Sequence, residues 1–116
     1  MHEMGIAIDL IEQVLKVGKE NNLESISEIE IEAGVLRLIE PEAMEVAWKS
    51  VCEGTIAEGS TMKLSEIPPS AECRKCKKKF TPQMDDFRCP QCAVADVELL
   101  SGNDLILKSI TGDKKE

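Results

Sequence analysis

Cys73-Arg74-Lys75-Cys76 and Cys89-Pro90-Gln91-Cys92, separated by twelve residues, decide how this chain divides. Two residues between paired cysteines permit a tight turn that aims both sulfurs at one ion. Two such turns, face to face, supply four thiolates in a tetrahedron about 2.3 Å from a zinc ion. Four thiolates leave no open coordination position, so the site reads as structural. It would stabilise a unit of roughly 25 residues that has little core of its own. Spacing alone does not separate zinc from iron in a rubredoxin-like site, whereas a redox dithiol needs only one such pair. The run Arg74, Lys75, Lys77, Lys78 and Lys79 admits a nucleic-acid reading or a docking surface for an acidic protein. The simpler account is electrostatic: a zinc ion held by four thiolates carries a formal charge of −2, which neighbouring lysines offset.

Outward from the cysteines, Pro68-Pro69 marks a boundary, because proline neither continues a helix nor suits a sheet interior. Charge changes there too. Residues 1–67 hold 14 acidic and 5 basic side chains, residues 68–97 hold 4 and 6, and residues 98–116 hold 4 and 3. Before the boundary, Met4, Ile8, Ile11 and Leu15, with Ala7, Leu10 and Val14, recur at helical spacing and fade near residues 18–22. Residues 28–33 alternate strictly, placing Ile29, Ile31 and Ala33 inward and Glu28, Glu30 and Glu32 in solvent. Glu40-Pro41 opens a second helix, with Met44, Ala47, Trp48 and Val51 as its buried stripe and Gly54 as its stop. A second strand follows at 61–67. Beyond the cysteines, Asn103-Asp104 turns the chain into a third, largely buried strand at 105–110, and the tail 111–116 reads as frayed. The predicted architecture is α+β: a small three-stranded sheet covered by two helices, with an inserted zinc-ribbon-like subdomain built on the four cysteines. The boundaries are 1–67 plus 103–112 for the α/β part and 68–102 for the cysteine part. Insertion between strands also permits exchange of the final strand between chains, giving a weak or strand-swapped dimer.

Composition excludes several functions. The 116 residues suit one domain with a small satellite, and 42% hydrophobic content supports a core. A net charge of −8 repels polyanions, and 3% aromatic residues leave no stacking platform for single strands. Five cysteines, an odd number, do not suit a closed disulfide scaffold. Cys52 stands apart and reads as a small buried hydrophobe. The start lacks a basic leader and no apolar run approaches the length of a membrane span, so the expected location is cytoplasmic. There is no phosphate-binding G-x-x-x-x-G-K-[ST] sequence and no nucleophile–histidine–acid set, so enzymatic activity is not expected.

The single histidine is His2. Methionine aminopeptidase favours a small second residue, so Met1 is expected to remain. The Met1 amine, the His2 amide nitrogen and the His2 imidazole can then close a five- and a six-membered chelate ring. Ni(II) and Cu(II) accept such square-planar nitrogen sets. The Glu3 amide or a carboxylate would complete the site. An ordinary exposed terminus is the rival explanation.

Met1-His2-Glu3, an α/β segment of about 67 residues, the paired C-x2-C motifs and a short β ending together resemble the hydrogenase-maturation nickel metallochaperones (HypA/HybF). The likeness covers essentially the whole chain. It implies a non-enzymatic carrier that takes Ni2+ at Met1, His2 and Glu3 and helps insert it into the large subunit of [NiFe]-hydrogenase. A maturation GTPase would act as partner, and some relatives also serve urease maturation. Cys73, Cys76, Cys89 and Cys92 match the family's structural Zn2+ ligands. Residues 1–67 plus 103–112 become the nickel-binding domain and 68–102 the zinc-binding domain. An acidic residue near the start of the second helix lies close to nickel in the family, and Glu40 corresponds. No nucleic acid or membrane is implied. A zinc-ribbon module that binds protein or nucleic acid is the alternative function.

Overall fold

The computed structural model describes residues 3–115 in full and His2 by its backbone; Met1, the His2 side chain and Glu116 lie outside the described residues. The elements run α1 (His2–Glu20), β1 (Leu23–Gly34), a 3-10 turn (Val35–Arg37), α2 (Pro41–Cys52), β2 (Thr61–Ile67), β3 (Ser70–Cys73), β4 (Lys79–Phe80), β5 (Val97–Ser101) and β6 (Leu105–Lys114). Among the described residues two three-stranded sheets result, ordered β2-β1-β6 and β4-β3-β5. The chain forms two compact units. One contains Ile39–Ser65 with the segments up to Ile31 and from Ile106; the other contains Glu32–Leu38 and Glu66–Leu105.

In the first unit α1 packs on α2. Ala7, Leu10, Ile11 and Val14 are buried, together with Ile29 and Ile31 from β1 and Met44, Ala47 and Trp48 from α2. Each large aliphatic or aromatic side chain so enclosed contributes about 1.5–3 kcal/mol. Glu40 caps α2, its carboxylate accepting from Ala43 N at 2.6 Å, and Pro41 occupies the first turn. The helix ends at Cys52, and Gly54 follows with φ +76°. Trp48 donates its indole Nε1 to Ser60 Oγ at 3.0 Å, which satisfies the one polar atom of that buried ring.

The α+β architecture is as expected, but four local readings need correction. Ile8 is 45% exposed, because the buried face of α1 runs along Ala7, Leu10 and Val14 and leaves Ile8 to one side. Glu28, Glu30 and Glu32 are half-buried rather than freely solvated, and Glu28 meets Lys63 at 3.4 Å. The strand at 105–110 is not largely buried: β6 is a sheet edge, and Ile106 is 50% exposed. Nor does the tail fray after residue 110. β6 continues to Lys114 because β1 begins early, at Leu23, and offers a backbone partner. Lys115 N donates to Asn22 O at 2.9 Å, and Ser25 Oγ and Ser27 Oγ reach Asp113 and Thr111.

In the second unit, β3 is the central strand. It pairs antiparallel with β4 through Ala71↔Phe80 and with β5 through Ala71↔Leu99 and Cys73↔Val97. The backbones at Gly34 and Gly102 press together: a Cβ on Gly34 would overlap the Gly102 carbonyl and the Asn103 nitrogen. Gly34 N and Leu36 N donate to Asp104 O and Gly102 O, each at 2.8 Å.

Candidate metal centre

The four cysteines of the paired motifs converge. Their sulfurs all lie within 4.8 Å of one another, with Cys76 and Cys89 sulfurs 3.6 Å apart. A tetrahedron of metal–sulfur bonds near 2.3 Å has edges of about 3.8 Å, so one ion fits the spacing. All four are free thiols; Cys73 and Cys89 are buried, and Cys76 and Cys92 half-buried.

Two turns of matching form build this cluster. In the first, Cys73 N donates to Lys78 O at 2.9 Å and Lys77 N to Cys73 O at 2.8 Å. In the second, Cys89 N donates to Val94 O at 2.9 Å and Ala93 N to Cys89 O at 2.8 Å. The residue after each second cysteine turns left-handed, with φ +64° at Lys77 and +57° at Ala93. That conformation curls the chain back and leaves the sulfurs on the inner side. No glycine marks either position, so composition gives no warning of it.

Charge within the cluster is divided unequally. The backbone N–H of Cys92 donates to Cys89 Sγ at 3.4 Å and holds that thiol down at about 7. Hydrogen bonding with Cys76, followed by desolvation, pushes Cys92 up to about 12. Four adjacent thiolates repel one another, and only a cation would let all of them ionise together.

Of the nearby basic residues, Arg74 is committed to Asp96 at 3.0 Å, while Lys75, Lys77, Lys78 and Lys79 are exposed. Arg88, just before Cys89, grips Asp86 through Nε and Nη2, each at 2.9 Å. This fork holds the Asp86 carboxyl down at about 2.

The other expected site starts at Met1 and the His2 side chain, which are outside the described residues. Glu3 is half-buried, and its Oε2 accepts the backbone N–H of Glu40 at 3.1 Å. The start of α1 and the cap of α2 are thus joined. Sequence reasoning named both glutamates but not the bond between them, which links residues 37 apart and has no local signal. Glu40 reaches Glu3 with its backbone and spends a carboxylate oxygen on Ala43 N.

Cys52 belongs to the first unit and is buried there, with its sulfur 3.8 Å from Ser60 Oγ. It is the small core thiol expected of it.

Residues 1–112 match the family described as hydrogenase/urease nickel incorporation, metallochaperone, hypA. The chain belongs to this family. It is 33% identical over 110 residues to the hydrogenase maturation factor HypA of Methanocella arvoryzae, covering 95% of this chain and 96% of that one. Against the HypA of Chlorobium limicola, identity is 32% over 111 residues, covering 96% of each. The solution structure of the Ni metallochaperone HypA from Helicobacter pylori has the same fold, with TM-score 0.73 and 20% identity over 99% of this chain and 100% of that one. A second HypA solution structure gives 0.75 at 20% identity, covering 99% of this chain and 98% of that one. HypA proteins are metallochaperones for hydrogenase maturation, and the chain is accordingly not an enzyme. Among the described residues, no helix is long and apolar enough to cross a membrane.

Proposed function

We propose that this chain carries Ni(II) on its first three residues and helps insert it into the large subunit of [NiFe]-hydrogenase. The Met1 amine, the His2 amide and imidazole, and the Glu3 amide or a carboxylate are the ligands. The observation that carries this reading is the Glu40–Glu3 hydrogen bond, which ties the chelating end of the chain to the folded body. Helix geometry supports it. The first four N–H groups of an α-helix have no acceptor within the helix, and α1 begins at His2. Replacing the amide protons of His2 and Glu3 with a metal therefore breaks no helical hydrogen bond. The positive end of the helix dipole also favours the resulting amide anions. Protonation of amine, amide or imidazole reverses binding, which suits a cargo that must be surrendered.

In the same reading Cys73, Cys76, Cys89 and Cys92 hold a structural Zn(II), the sulfur spacing being right for it and the donor set closed. When bound, that ion supplies folding free energy to the second unit. The first unit is then the nickel-binding part and the second the zinc-binding part. Nucleotide hydrolysis comes from a separate maturation GTPase, since the chain has no phosphate-binding loop sequence. The cytoplasm is the compartment in which such a thiol site and such partners coexist.

Nickel titration followed by absorbance and calorimetry tests the reading. The wild type should bind one Ni(II) with the spectrum of nitrogen-rich coordination. His2→Ala, and a form with residues added before Met1, should lose that affinity and spectrum. Equal binding by all three would overturn the nickel site. Metal analysis that finds zinc in the wild type but not in Cys73→Ala supports the second site; iron in its place would overturn it.

A further inference from the structure

The first unit carries an apolar groove that packing within the unit does not explain. It has a volume of about 570 Å³ and is lined by Met4 of α1 and by Glu40, Glu42, Ala43, Val46 and Ala47 of α2. Val46 is 70% exposed, in the middle of a helix whose Met44, Ala47, Trp48 and Cys52 are buried. An isolated exposed aliphatic residue needs no explanation, but one lining a concave apolar surface with neighbours on two helices marks a recognition surface.

Two further observations define what the groove would take. Among the described residues its charged lining is acidic, Glu40 and Glu42, both exposed. The surrounding segment shares that sign, 14 acidic against 5 basic residues over 1–67. A second copy docking through the same face would bring glutamates against glutamates, which is repulsive. Aliphatic side chains flanked by lysine or arginine would fill the groove and pair with its rim. The groove also abuts the Glu3–Glu40 hydrogen bond, so a segment seated there lies beside the start of α1.

We propose that the Met4–Ala43–Val46 groove docks a protein segment of aliphatic residues flanked by basic ones, supplied by the recipient of the metal, so that recognition and cargo share the end of the first unit where α1 starts. The origin of the segment in the metal's recipient rests on the carrier function proposed above; its chemistry rests on the groove.

The test uses the full, zinc-loaded chain labelled for amide NMR and titrated with a short peptide alternating leucine and lysine, against a matched leucine–glutamate peptide. Shifts centred on Met4, Ala43, Val46 and Ala47 with the basic peptide, and none with the acidic one, are expected. Val46→Glu should weaken binding by about tenfold, because the lost aliphatic contact and the desolvation of a carboxylate against leucine outweigh its added attraction for lysine. Glu42→Lys should weaken it and flatten its salt dependence. Ile106→Glu, the same change at an exposed aliphatic residue of β6, should leave binding unchanged. Shifts spread over other surfaces, equal binding of the two peptides, equal loss in Ile106→Glu, or the same shifts produced by raising protein concentration alone would each overturn the proposal. Val46→Glu is also titrated with Ni(II) alone and should bind as the wild type does. Failure of the nickel reading shows instead as indifference to His2→Ala, whatever the peptides do.

Discussion

Glu40 donates its backbone N–H to Oε2 of Glu3 across 3.1 Å, while its own carboxylate accepts from Ala43 at 2.6 Å. One residue therefore clamps the start of α1 and caps α2. A hydrogen bond to a charged acceptor contributes about 1.5–3 kcal/mol, less where water competes, as at this half-buried carboxylate. Glu3→Ala should lower nickel affinity about three- to tenfold, by loosening the chelating end. Glu3→Gln, which keeps an acceptor oxygen, should recover most of the loss. Competition against a chromophoric chelator measures both.

The same clamp shows where sequence reasoning reaches and where it stops. Glu40-Pro41 announces a helix start because capping and proline placement are local. Cys73, Cys76, Cys89 and Cys92 announce a metal cluster because two-residue spacing confines both sulfurs of a pair. Ile29 and Ile31 point inward as their alternation requires. The exposure of Ile8 was not legible, since α1 is apolar on more than one side and only its partners choose the face. The strand beyond Ile110 was not legible either, because its polar residues pair with the early part of β1, far away in the chain. The left-handed turns at Lys77 and Ala93 are imposed by closure around the sulfurs, against the preference of both side chains.

That last conflict gives a prediction. A left-handed residue other than glycine costs roughly 1–2 kcal/mol, and the greater freedom of glycine in the unfolded chain takes back part of the gain. Ala93→Gly should stabilise the zinc-loaded chain by about 0.5–1 kcal/mol. Ala93→Val should destabilise it by more than that, because a β-branched side chain resists φ near +57°. Thermal melting in the presence of excess zinc reads both changes.

Burial raises the Cys52 thiol above its ordinary 9.0, with the Ser60 hydrogen bond opposing in part. A group whose pKa is raised on folding stabilises the fold fully below its unfolded value and loses that contribution as pH rises toward the folded value. The wild type should therefore lose melting temperature above about pH 9. Cys52→Ala, though less stable at neutral pH through a lost buried contact, should show a shallower alkaline decline. In the zinc-loaded wild type Cys52 should also resist alkylation until the chain unfolds, as mass mapping of the labelled thiols would show.

Removing the metal from the cysteine quartet should affect the two units unequally. Cys73 ends the central strand of one sheet, and Cys89 lies between the Asp86–Arg88 fork and the second turn. Among its described residues the second unit buries few large apolar side chains, whereas Leu10, Val14, Ile29, Ile31, Met44 and Trp48 are buried in the first. Structural zinc in small domains is worth about 10–16 kcal/mol near neutral pH, more than such a unit has to spare. A strong chelator, or Cys73→Ser, should abolish amide protection in β3, β4 and β5 while α1, α2 and the centre of β1 keep theirs. The second unit should also come apart as pH falls, since each thiolate must be reprotonated to release the ion, and zinc added back at neutral pH should restore it. Hydrogen exchange resolved by residue separates this outcome from a single cooperative collapse, which would place the core of the first unit under the control of the cysteine cluster.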